Sequence, residues 1–176
     1  TPLLNYLFLI FIVNIVLLFR LMSVPAFHPV EKHLYLIAWL VTFALYTYPM
    51  TIKASRMDPR ELTEIMLICL GLTLTATGLV VFFPNLVSAS WGLPLFLGLT
   101  GLIFAQLISV FMNTSTQYIT YFSIVLFTIF ISYDTQLAIT ASKTCVEGKA
   151  DYIKYSMGLF LDIVNLFSSL ENFFLP

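Results

Sequence analysis

The sequence predicts an all-α integral membrane protein, a polytopic bundle of six spanning helices forming one membrane-embedded domain over residues 1–176. Three observations carry that prediction. Of the 176 residues, 60% are hydrophobic and only 10% are charged, against about 25% charged in an ordinary soluble domain. Six apolar runs reach or approach the length of about 20 residues that crosses a bilayer. The connections between the runs are short, and neither a fixed-period repeat nor a separate soluble stretch interrupts them.

The runs lie near residues 3–24, 33–50, 62–83, 92–112, 118–141 and 152–174. The first, "LLNYLFLIFIVNIVLLF", has an Asn inside it and no small-residue exit, so it reads as a spanning helix rather than a signal peptide. "PAFHPVEK", with two prolines, separates the first run from the second. "KASRMDPRE" follows the second, and Pro59 suits the first turn of the third helix. "PNLVSAS" and "NTSTQ" carry no charge, and "SKTCVEGKAD" joins the last two runs. Pro49 and Pro94, near or inside runs, are expected to kink their helices. Gly71, Thr75 and Gly78 recur at helical spacing and suggest a close-packing seam.

Net charge is −1, so no basic excess points to nucleic acid. Cys69 and Cys145 lack metal-type spacing, and no resident cofactor is expected. His28 and His33, with Glu31 between them, could at most make a weak surface metal site; two solvated loop histidines are the plainer reading. Trp39 and Trp91 suit either interfacial anchors or core fillers. The basic residues Arg20, Lys32, Lys143, Lys149 and Lys154 fall on one side of the membrane and Lys53, Arg56 and Arg60 on the other. Five against three puts the loop between the last two runs on the cytoplasmic or matrix side.

The chemistry concentrates in those two runs. On the last, Gly158, Asp162, Asn165, Ser169 and Asn172 follow spacings of 4, 3, 4 and 3, one continuous helical stripe. Lipid cannot satisfy that stripe, so it must face other helices or water. A charged Asp at the centre of a span costs about 2.5–3.5 kcal/mol even on lenient insertion scales. Asp134 lies nine residues before Lys143, about 13 Å along its helix. Asp162 lies eleven residues after Asp151 at a similar depth, and consecutive helices with a short connection pack antiparallel. The two carboxylates are therefore expected to meet. Glu61, Glu64 and Glu171 sit near helix ends, where water is expected close by. Two carboxylates in a poorly hydrated site cannot both ionise cheaply and tend to share one proton. Such a pair can act as a pH-responsive latch: closed when it shares a proton, open to water or a cation when doubly ionised. Carboxylate oxygens also suit Ca²⁺, so Asp134 and Asp162 form a transient calcium site at most.

The same residues carry a family resemblance. "YDTQ" at 133–136, closing an apolar helix, and "DYIKYSMGLFLDIVNLF" at 151–167 resemble the signature of the Bax-inhibitor family of membrane proteins. Asp151, Tyr152, Ser156, Leu159, Leu161, Asp162, Ile163, Asn165, Leu166 and Phe167 fit the family's last helix, and the spacing of the two motifs fits too. The upstream runs match in helix order; on that alignment the family's first of seven helices is missing from this chain. The resemblance implies an all-helical fold around a central helix and a pH-regulated calcium leak. It maps the family's paired aspartates onto Asp134 and Asp162, with Tyr133, Thr135, Asn165 and Ser169 as polar support. A family Arg on the second helix is thought to engage the pair when the path opens; Arg20 is the only candidate here. Departures include Ala44, where many members have Glu, and Gly158, Phe160 and Ser168 in place of more usual residues.

Three functions compete. The first is a pH-sensitive calcium leak, its partner the lipid bilayer. The second is a non-conducting accessory or scaffold subunit of a larger membrane assembly, with membrane-protein partners, a reading favoured by Ala44. The third is an intramembrane aspartyl protease, disfavoured because both aspartates lack the usual Gly-x-Gly-Asp context; the chain is expected not to be an enzyme. The family resemblance is compatible with the endoplasmic reticulum or the mitochondrial inner membrane, and with the family's link to apoptosis regulation.

Overall fold

A computed structural model describes residues 2–112, 116–144 and 151–174. All regular structure among them is helical: α1 (Pro2–Ser23), α2 (Pro29–Ser55), α3 (Pro59–Phe82), α4 (Gly92–Met112), α5 (Gln117–Thr144) and α6 (Tyr152–Phe174), with one 3-10 turn at Ala89–Trp91 before α4. Four are long and apolar enough to cross a membrane: α2, α3, α4 and α5. The apolar part of α1 that qualifies is the shorter Phe8–Ser23, and α6 carries Lys154, Asp162 and Glu171 within its 23 residues.

The caps explain the boundaries. Asp58 precedes α3 and accepts the Arg60 N–H at 2.9 Å, with Pro59 opening the helix as expected. Asp151 does the same for α6, accepting the Lys154 N–H at 3.1 Å. The second helix is longer than its apolar run. It begins at Pro29, so Lys32 and His33 belong to its first turns rather than to a loop, and it runs through Pro49 to Ser55. His33 places Nδ1 2.6 Å from the Pro29 carbonyl oxygen. Pro94 falls in the first turn of α4, where its missing N–H costs no helical hydrogen bond; it starts that helix rather than kinking it. Cys145, Glu147 and Lys149 lie outside the described residues.

The helices group into two compact units, Thr1–Met57 with Thr144–Lys154, and Asp58–Lys143 with Tyr155–Pro176. In the first, α1 packs on α2. Asn14 is buried there and donates to the Trp39 carbonyl at 3.4 Å and to Thr42 Oγ1 at 3.1 Å. Trp39 is a core residue stacked on Phe43, whereas Trp91 in the other unit is exposed. Lys32, counted from the sequence as a loop charge, is only 2% exposed. Its Nζ donates to the Val24 carbonyl at 2.8 Å and pairs with the Asp151 carboxylate.

In the second unit, α3 buries Ile65, Cys69, Ala76 and Val80. This is not its small-residue stripe: a Cβ built on Gly71 or Gly78 would meet nothing within 4 Å, so no described helix makes a close approach at either glycine. Cys69 Sγ approaches the Ile163 carbonyl of α6 at 3.9 Å, and Ser132 Oγ on α5 donates to the Ala76 carbonyl at 3.3 Å. These contacts tie α3 to both aspartate-bearing helices. Large apolar side chains such as Phe82, Phe104 and Phe111 are exposed while Ser123, Asp162 and Ser169 are buried. A fold with polar groups inside and phenylalanine outside is built for lipid, not water.

Candidate functional site: the buried face between the last two helices

On α5, Ser123, Phe127, Phe130 and Asp134 follow spacings of 4, 3 and 4, one helical face. On α6, Gly158, Asp162, Asn165 and Ser169 repeat that spacing. Two contacts set how the faces meet. At one end, the Asp134 carboxylate occupies the space that a Cβ on Gly158 would fill. At the other, Ser123 Oγ and Ser169 Oγ lie 2.5 Å apart. Eleven residues separate the two contacts on each helix, about 16 Å at 1.5 Å per residue. Both contacts therefore obey one antiparallel register. Carried between them, it sets Phe130 opposite Asp162 and Phe127 opposite Asn165.

The two carboxylates, expected to meet, form no hydrogen bond with each other among the described residues. Asp134 sits at the level of Gly158, and Asp162 lies one turn further along α6, about 6 Å along the axis. Asp162 is 8% exposed, and its Oδ2 has no hydrogen-bond partner. Neither aspartate forms an ion pair among the described residues. An orphaned carboxylate oxygen inside a membrane protein is an unusual expense. The close approach also accounts for a glycine at 158: any side chain there would displace the Asp134 carboxylate.

The other candidates divide. Thr135 is buried and its hydroxyl is occupied by the Ile131 carbonyl at 2.7 Å. Tyr133 places its hydroxyl where a Cβ on Gly92 would sit, packing α5 on α4. Ser169 is buried and also donates to the Asn165 carbonyl at 2.8 Å. Asn165 itself is exposed, as is Asn172, so the polar stripe is not enclosed along its whole length. Arg20 stands exposed in the last turn of α1, in the first unit, while both aspartates belong to the second. Glu171, expected near water, is 2% exposed. No group of three or more His, Cys, Asp or Glu residues suited to a metal occurs among the described residues, His28 and His33 included.

The family model for the inhibitor of apoptosis-promoting Bax1 matches residues 2–175. No curated protein and no solved structure matches the chain. The match spans nearly the whole sequence, including both aspartate-bearing helices, and the chain belongs to the Bax-inhibitor family.

Proposed function

We propose that the protein is a pH-sensitive calcium leak of the membrane, with Asp134 and Asp162 as its latch. The observation that carries this reading is the orphaned Oδ2 of buried Asp162, with the Asp134 carboxylate one helical turn away. Carboxylates so placed cannot both ionise cheaply, so the pair tends to keep one proton, and they repel when both are ionised. With the proton shared, the α5–α6 face stays closed. When it leaves, two adjacent negative charges favour water and a divalent cation, which takes carboxylate oxygens as ligands.

The test is Ca²⁺ flux in proteoliposomes between about pH 5.5 and about pH 8, a range wide enough to titrate such a pair. Flux should rise with pH in the wild type, and Asp134→Asn and Asp162→Asn should each flatten the profile. A folded protein that leaks no more than empty liposomes would remove the calcium reading. The second reading, a non-conducting accessory subunit, would then be the stronger one. It draws on Ala44, which stands where many family members carry Glu.

A further inference from the structure

Between the two polar levels of the α5–α6 face lies an apolar one. Phe127 and Phe130 occupy the two middle positions of the α5 stripe, their rings 6.2 Å apart. Phe127 is buried, and Leu166 on α6 is 0% exposed. Leu166 is one turn beyond Asp162 and three residues before Ser169. It lies on the side of α6 between the stripe that meets α5 and the Ile163 carbonyl that Cys69 of α3 approaches. Along the interface the order is therefore Asp134 with Gly158, then Asp162 opposite Phe130, then Phe127 at the level of exposed Asn165 and its buried neighbour Leu166, then Ser123 with Ser169.

We propose that Phe127, Phe130 and Leu166 form an apolar collar that separates the aspartate site from a second polar station, the Ser123–Ser169 hydroxyl pair, and closes the path between them by excluding water. The inference rests on the calcium-leak reading for its purpose, though not for its geometry. A hydrophobic constriction stops ions without a mechanical plug, because a narrow apolar segment does not hold the water an ion needs. The two stations differ in chemistry. The aspartates carry charge and can bind a divalent cation. The serines are neutral, and each hydroxyl offers one donor and two lone pairs, enough to hydrate a passing ion without holding it. The register faces Asp162 with Phe130 and leaves the Asp134 carboxylate, one turn along, as the nearest polar group of the α5 stripe; no hydrogen bond reaches Asp162 Oδ2.

The test makes the collar polar without altering either station. Leu166→Asn keeps the side chain nearly the same size; Phe127→Tyr adds one hydroxyl and keeps the ring, should Leu166→Asn not fold. Leu166→Met is the apolar control. Two readouts are taken: Ca²⁺ flux, and modification of Asp162 by a water-soluble carbodiimide with an amine, measured by mass spectrometry against exposed Glu61. In the polar variants, flux at one pH should rise severalfold above wild type, because a polar constriction holds the water that an apolar one excludes, and Asp162 modification should rise with it. Leu166→Met should match the wild type in both. If modification rises while no protein conducts, the collar stands and the calcium reading falls. If the folded polar variants match the wild type in both readouts, the collar is overturned.

Discussion

The two units each bury charge, and they treat it in opposite ways. In the first, Lys32 is closed off from solvent but paired, with the Asp151 carboxylate and the Val24 carbonyl. Asp151 is used twice, one oxygen on Lys32 and the other on the Lys154 N–H at the start of α6. In the second, two carboxylates lie one helical turn apart with no ion pair to either among the described residues, and one oxygen is left without a partner. Opposite charges in a buried pair hold structure in place. Like charges in a buried pair keep a structure poised, because its energy depends on how many protons are present. Burial alone does not mark a functional charge; the missing partner does.

That contrast can be broken first at the lysine. Asp151→Asn strands a buried cation, and should lower stability by about 3 kcal/mol or more, the range for breaking a buried pair. Lys32→Met leaves a carboxylate that still meets water and still caps α6, so it should cost less. The double variant should cost less than the sum of the two. Thermal unfolding in detergent would measure all three, and equal, additive losses would mean that the pair is not a unit.

Gly158→Ala addresses the other unit. Its methyl group must push the Asp134 carboxylate aside, at about 1–3 kcal/mol, the usual cost of overpacking. The loss should shrink in an Asp134→Ala background, where the space is free. An undiminished loss would place the strain elsewhere. The smallest effect is expected from Ser169→Ala, which removes the contact with Ser123 and the bond to the Asn165 carbonyl; about 1 kcal/mol is the expected net loss for such hydrogen bonds. A loss several times larger in the same unfolding assay would give the serine pair a structural weight that the aspartates lack.

Much of this was legible in the sequence, for identifiable reasons. Long apolar runs announce helices, and a carboxylate inside one is costly enough to stand out, so the helices could be read directly and Asp134 and Asp162 singled out as candidates, but not the turn that separates them. The stripe on α6 located the face but not how far its partner covers it, which is why Ser169 proved buried and Asn165 exposed. Lys32 and Glu171 were missed because each sits near the end of an apolar run. Position along a helix indicates depth in the membrane but not what neighbouring helices cover. Gly158 looked like a mere departure from a pattern until Asp134 was found in the space it leaves.

The central claim is that the two aspartates act as one group. The most direct test is the pH profile of Ca²⁺ flux in Asp134→Asn, Asp162→Asn and the double variant, compared with wild type. A shared-proton pair predicts that either substitution removes the pH dependence and that the double variant adds nothing further. If each single variant removes only part of the pH dependence and the double variant removes the sum, the aspartates are independent sites and the latch is contradicted.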